Sequence, residues 1–282
     1  MKILLFGSTG MLGTAIESVC RQAKNIDLAE LGHEDFEITD EGAVRAAFDK
    51  EAPDVAINAV AMIGANACEK DPTMTFAINA IGSSYIAKVC GEKNAIFIQP
   101  SSHAVFNGNK DGYYIEEDIP RPLTIYSGSK FMAEVFAMNL CKRHYITRFP
   151  TMFGPRSNKK RGFVDKAIEK IKKGESLKIA DDKIDSMTYS MDAARRVVWI
   201  IERKMPYGVY HIANAGIVSY YEFVKKLIEL MGLDVKIERA KDRDFNLRGH
   251  RSLKTAMASS KLPPMRVWQE ALLDYVSIYL KK

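Results

Sequence analysis

The chain has 282 residues, 47% apolar and 27% charged, with a net charge of +6. It can bury a large core in one domain or two, and its composition is that of an ordinary globular protein. The apolar run at Met1–Gly7 is too short for a secretory leader, and the longest uncharged run, Val55 to Cys68, is short of the ~20 residues that span a bilayer. A cytoplasmic protein with no membrane partner is the expectation. The four cysteines, Cys20, Cys68, Cys90 and Cys141, form no C-x-x-C pair and the five histidines are scattered. Reduced thiols and no metal site follow. The positive charge suits an anionic small molecule or nucleic acid. Lys159, Lys160 and Arg161 form the only dense basic cluster, without interleaved aromatics, so it reads as a solvated loop and no nucleic-acid partner is expected.

In chain order, Lys2-Ile3-Leu4-Leu5-Phe6 is a short apolar run of the kind a buried parallel strand shows. The glycine-rich turn Gly7-Ser8-Thr9-Gly10-Met11-Leu12-Gly13 follows and opens a segment of helical periodicity. Strand, glycine turn and helix form the setting of a dinucleotide site, where backbone N–H groups and the helix N-terminus attract a pyrophosphate. The spacing is G-x-x-G-x-x-G. Asp27 to Leu31 reads as the second strand. An acid at its end would suit the ribose of NAD, and a base the 2′-phosphate of NADP. Gly32 and His33 occupy that end, with Glu34 and Asp35 after them, which favours NADPH and leaves NADH as a second option.

Asp40 to Lys50 reads as a helix, and Asp54 to Ala61 as a strand ending in small residues. Small side chains at Asn58-Ala59-Val60-Ala61 let a cofactor cross the strand tip, or serve tight helix–sheet packing. Asp71-Pro72 starts a helix that runs to about Gly91 and carries Asn79 on an apolar face. Ala95 to Gln99 is the next buried strand and leads into Pro100-Ser101-Ser102-His103-Ala104. Polar residues thus gather at the carboxyl end of a parallel strand, where open α/β sheets bind ligands.

Tyr126 and Lys130, four apart, share one helical face. An ammonium beside a phenol lowers its pKa and fits it for proton transfer to or from an oxygen. The strand Tyr145–Phe149 and the loop from Pro150 to Pro155 follow. Further on, Phe163–Lys173, Met191–Arg203, Ser219–Met231 and Val267–Leu280 read as helices, with Ser219 and Glu222 as a capping box. Leu177–Ala180 and Gly208–Ala213 read as strands, and Lys241 to His250 as a charged loop.

Four motifs together resemble the extended short-chain dehydrogenase/reductases: Gly7-x-x-Gly10-x-x-Gly13, Asn58-Ala59-Val60-Ala61, Ser102 ahead of Tyr126-x-x-x-Lys130, and Arg148-Phe149-Pro150-Thr151-Met152-Phe153-Gly154-Pro155. Within that superfamily the chain looks most like the dTDP-4-dehydrorhamnose reductase branch, through Cys68-Glu69-Lys70-Asp71-Pro72, Val105-Phe106-Asn107-Gly108 and Tyr210-His211-Ile212-Ala213. The resemblance implies a Rossmann-type, doubly wound parallel α/β sheet with a smaller, mostly C-terminal α/β substrate lobe. Residues 1–155 and about 183–213 would form the dinucleotide-binding domain; about 156–182 and 214–282 would form the lobe. It implies NADPH-dependent reduction of a 4-keto-6-deoxy sugar on a nucleotide, in surface polysaccharide sugar biosynthesis.

Tyr126 would be the acid, Lys130 would lower its pKa and hold the nicotinamide ribose, and Ser102 would bond the same oxygen. Gly7, Thr9, Gly10, Met11, Leu12, Gly13, Gly32, His33, Asn58, Ala59, Val60, Ala61, Asn79, Phe149 and Pro150 would contact the cofactor. Ser102, His103, Ala104, Arg161 and Arg251 are the substrate-side candidates. The branch usually has aspartate and tyrosine where this chain has His103 and Ala104, and proline at Met187 and Gly249. An altered sugar pocket is expected, with His103 either a sugar contact or a satisfied loop histidine. The alternatives are an epimerase with tightly held NAD and a non-catalytic regulatory subunit of the same fold. A homodimer is the commonest assembly for such a chain.

Overall fold

The computed structural model describes residues 1–32, 36–157, 162–245, 249 and 252–280. The first half runs β1 (Lys2–Phe6), α1 (Met11–Gln22), β2 (Asp27–Leu31), α2 (Glu41–Glu51), β3 (Val55–Asn58), α3 (Ala65–Lys70), α4 (Pro72–Phe76), a π-helical turn (Ala77–Gly82), α5 (Ser83–Glu92) and β4 (Ile96–Ser102). Then come α6 (Ile125–Leu140), β5 (His144–Phe149), β6 (Met152–Phe153), α7 (Phe163–Lys172), β7 (Leu177–Ala180), β8 (Ile184–Asp185) and β9 (Thr188–Tyr189). The chain ends with α8 (Ser190–Glu202), β10 (Gly208–His211), β11 (Val218–Ser219), α9 (Tyr220–Met231), β12 (Ile237–Ala240) and α10 (Trp268–Tyr275), which closes in a π turn.

The main sheet is parallel throughout, in the order β10-β5-β4-β3-β1-β2. Successive side chains of β1 point to opposite faces. Ile3 and Leu5 join an apolar cluster with α1 and α8, while Leu4 and Phe6 join Val44 and Phe48 of α2 and Ile86 and Val89 of α5. Both faces are therefore covered, which is why β1 and β3 read as unbroken apolar runs. The fold class matches the expectation, a Rossmann-type doubly wound sheet. The strand order reverses between β1 and β3, and that reversal leaves a crevice at their carboxyl ends.

Helix starts follow their caps. Asp40 Oδ1 accepts the N–H groups of Gly42 and Ala43 at 2.8 and 3.3 Å, and Asp71 Oδ1 that of Met74 at 3.0 Å. Thr124 and Ser127 cap α6 reciprocally, at 3.1 and 2.9 Å.

The structure departs from the sequence reading in several places; the strand read over Asp54 to Ala61, for one, ends at Asn58. The helix after Pro72 is not a continuous α-helix. Its π turn holds Asn79, tied to the loop after β3, and Gly82, where an added Cβ would lie 2.8 Å from the Ile38 side chain. Only half of the Ser219–Glu222 box forms: Ser219 accepts the Glu222 N–H at 3.1 Å, but the Glu222 carboxylate pairs with Arg239 instead. The Gly208 strand stops at His211. Ile237–Ala240, to which the sequence reading assigned no element, is a strand paired with β7.

Beyond β6 the chain builds a second layer of short two-stranded pairings, β11 with β8 and β12 with β7, carrying α7 and α9. Between β9 and β11 the chain returns to the main sheet, with β10 beside β5. Phe223, Trp268 and Ala271 of the outer layer belong to the same apolar cluster as Ile3 and Ile57 of the sheet.

Candidate active site

The glycine turn sits where three strand tips converge. Gly7 N–H bonds Leu31 O at 2.8 Å and Ala59 N–H bonds Phe6 O at 2.8 Å. At Gly7 φ is +80°, and a Cβ there would come within 2.9 Å of the Ala59 and Val60 backbone. At Gly13 a Cβ would lie 2.1 Å from Gly7 O. Both positions therefore demand glycine. Gly10 is the N-cap of α1 with no side-chain cap, so that helix end presents backbone N–H groups to the crevice.

The crevice is a cavity of about 430 Å³. Of the residues expected at the cofactor, Gly7, Thr9, Gly10, Met11, Leu12, Gly32, Asn58, Ala59, Val60, Ala61, Lys130 and Phe149 line it. Gly13 lies behind it, under Gly7, and Pro150 is buried next to Phe149. Asn79 is not in the wall, which is formed there by Ile78. Its amide is spent inside the protein: Oδ1 accepts Met62 N–H at 2.7 Å, and Nδ2 donates to Met62 O at 3.0 Å and Ser129 Oγ at 2.9 Å. Asn79 thus clamps the loop after β3 to α6. His33, Arg161 and Arg251, with Lys159 and Lys160, fall outside the described residues.

Tyr126 and Lys130 stand one turn apart on α6. Lys130 is only 4% exposed, yet it lines the cavity, and its ammonium makes no hydrogen bond among the described residues. Burial pushes its pKa down to about 8, while the negative charge of Glu134 opposes the fall. Tyr126 departs from expectation. Burial drives its pKa up to about 12, partly offset by a hydrogen bond with Ser102, and Lys130 does not bring it down. The protonated phenol suits a donor to a carbonyl oxygen, with Ser102 beside it as a second hydroxyl. Ser102 Oγ also accepts the Ala104 N–H at 3.1 Å, which folds the chain into a tight turn at the strand end.

Several functional candidates were not read from the sequence. Glu134, fully buried, takes a fork from Arg148, Nε to Oε1 at 2.9 Å and Nη2 to Oε2 at 2.7 Å, and the Ser101 hydroxyl bonds the same carboxylate. The spacing of four from Lys130 was the available signal, since it repeats the Tyr126–Lys130 offset on the same helical face. Arg156 lines the cavity beside Met11, with its guanidinium held 2.7 Å from Asp165. Asp185 meets His103, Nδ1 to Oδ2, at 2.8 Å.

No group of three or more potential metal ligands occurs among the described residues, and no helix there is long and apolar enough to cross a membrane. All four cysteines are buried and free.

The chain is similar in sequence to curated proteins and in fold to solved structures. The spore coat polysaccharide biosynthesis protein SpsK of Bacillus subtilis is 29% identical over 98% of this chain and 96% of its own. A dTDP-4-dehydrorhamnose reductase of Aggregatibacter actinomycetemcomitans is 29% identical over 79% of this chain and 76% of its own. The crystal structure of a dTDP-4-dehydrorhamnose reductase from Clostridium acetobutylicum superposes with a TM-score of 0.93, at 29% identity and 99% coverage of both chains. That from Bacillus anthracis, in complex with NADP, gives 0.92 at 24% identity, with 98% of both chains covered. The family described as the RmlD substrate binding domain matches residues 1–280, and the chain belongs to that family.

Proposed function

We propose that this chain reduces the 4-keto group of a nucleotide-linked 6-deoxy sugar, with NADPH as the preferred donor, in the synthesis of surface polysaccharide sugars. The observation that carries the reading is Lys130: a buried ammonium, without a hydrogen bond among the described residues, facing a cavity built on a glycine turn and one helical turn from Tyr126. The names of the relatives, dTDP-4-dehydrorhamnose reductases and a dTDP-4-keto-6-deoxy-D-glucose reductase of Streptomyces niveus among them, point the same way.

The residues present fit a nicotinamide dinucleotide. The Gly7–Gly13 turn and the α1 N-terminus would take its pyrophosphate, and Lys130 its ribose hydroxyls. When bound, the cofactor supplies hydride to the keto carbon. The chain's own part is the oxygen. Tyr126 donates its phenolic proton to the forming alkoxide, and Ser102 holds the same oxygen, so charge is neutralised as it develops.

One observation favours NADH as a competitor. Glu37 lines the cavity beside Gly32, although its Oε1 is engaged by the Thr39 N–H at 3.1 Å and the Thr39 hydroxyl at 2.8 Å. The test is oxidation of NADPH and of NADH across a panel of nucleotide-linked 4-keto-6-deoxy sugars, with Tyr126→Phe alongside. Turnover on one sugar, lowered at least about 100-fold in Tyr126→Phe while NADPH still binds, is expected. A mutant as fast as the parent would remove Tyr126 from its role, and silence across the panel would remove the reductase reading.

A further inference from the structure

His103 and Asp185 are 82 residues apart in sequence and meet beside Ser102. His103 Nδ1 lies 2.9 Å from Asp185 Oδ1 and 2.8 Å from Oδ2, and Thr255 Oγ1 is 3.3 Å from the same nitrogen. The carboxylate is buried. It also accepts the Thr151 N–H at 2.9 Å and the Ser186 N–H at 2.8 Å. Burial pushes the Asp185 carboxyl up, but the charge and hydrogen bond of His103 and the bonds from Thr151 outweigh it and hold it below the ordinary aspartate value.

An ionised acceptor at Nδ1 holds a proton on that nitrogen and makes Nε2 the nitrogen that can exchange its own. Nε2 has no hydrogen-bond partner among the described residues. This is how a carboxylate orients a general base. Burying a carboxylate is costly, and contact with a sugar hydroxyl does not require it; fixing the tautomer and the orientation of a base does.

On the reductase reading, Ser102, the residue before His103, and Tyr126 would meet the substrate's carbonyl oxygen. A carbonyl held by two donors acidifies the C–H on the neighbouring carbon, because the charge left on deprotonation rests on that oxygen. Resting on the reductase reading above, we infer that His103, oriented by Asp185, exchanges the hydrogen on a carbon next to the substrate's keto carbon with solvent. The C–H bond breaks and its electron pair becomes the double bond of an enolate. The proton goes to Nε2, and the negative charge sits on the former keto oxygen between Tyr126 and Ser102. The reverse step returns from Nε2 a proton that has exchanged with water. Nothing is oxidised or reduced.

The experiment places the protein with NADP⁺, and no reductant, in D₂O with dTDP-4-keto-6-deoxyglucose, or with the panel sugar it reduces fastest. Mass increase of the sugar is followed against a protein-free control. Protein-dependent deuterium uptake is expected, slowed at least about 100-fold in His103→Gln. NADPH binding checks that the variant is folded, and His103→Asn serves in its place if it is not. Reduction by the parent without deuterium uptake would overturn this inference alone, as would undiminished uptake in both His103 variants. A protein that neither reduces nor exchanges any sugar of the panel would overturn the reductase reading with it.

Discussion

Lys130 concentrates the chemistry of this site in one side chain. It is buried, lines the cavity and has its pKa held down to about 8, chiefly by burial. In the free protein it is therefore cationic at pH 7 and loses its charge as pH rises through about 8. Tyr126, pushed up to about 12, keeps its proton over the same range and adds no inflection. An anionic dinucleotide favours the charged lysine, so binding should draw a proton above pH 8. NADPH affinity is expected to be flat below that value and to weaken above it by up to about tenfold per pH unit. Fluorescence titrations at a series of pH values check this, with Lys130→Gln expected to bind weakly throughout and to show no inflection near 8. A parent affinity unchanged from neutral to alkaline pH would mean that this ammonium does not meet the cofactor. Tyr126 and Lys130 were legible as a pair because their offset is a property of one helix. The direction of the tyrosine's shift was not, since burial depends on chains packed from elsewhere.

One buried carboxylate of helix α6 ties it to two strands of the sheet. Glu134 faces Ser101 of β4 and the guanidinium of Arg148 of β5, and its charge also supports Lys130 one turn earlier. Removing one member of a buried ion pair leaves the other uncompensated, at a cost of about 3–5 kcal/mol. Glu134→Gln is expected to lose about that much stability in urea unfolding, and to lower the alkaline inflection in NADPH binding. A loss below about 1 kcal/mol would show that Arg148 finds other partners. Legibility at this scale divides by sequence separation. The glycine turn, the capped helices and the apolar strands are written in residues near one another, so β2 and β7 stand at the expected bounds. Asn79 shows the opposite case. Its place on an apolar face was visible, but its partners Met62 and Ser129 come from two other segments, and they make it a clamp for the cavity wall. Asp185 gave no local signal at all, because its meaning lies in His103, on another strand's tip.

At the scale of the whole molecule, the question is whether sheet and outer layer act as one body. We propose the division read from the sequence, with residues 1–155 and about 183–213 holding the cofactor and the remainder closing over the sugar. The two parts nevertheless share one apolar cluster, which reaches from Ile3 and Ile57 through Ala193 and Val197 to Phe223 and Trp268. Neither part can expose its side of that cluster without uncovering the other's, and apolar burial is the main stabilising term. A single cooperative transition is therefore expected. The two tryptophans report on it separately, since Trp199 lies on α8 against α1 and Trp268 on α10 in the outer layer. Single-tryptophan proteins made by Trp199→Phe and Trp268→Phe should unfold in urea at midpoints that agree with the circular dichroism of the same sample. NADPH at about 100 times its Kd should move both reporters together, by about 2.7 kcal/mol of added stability. Had the outer layer an independent core, the Trp268 signal would be lost first and NADPH would shift only the Trp199 transition, and the substrate side would then be a hinged lid on a rigid cofactor domain. Coincident shifts would instead mean that cofactor binding stabilises the sheet and the outer layer as one body, through the core they share.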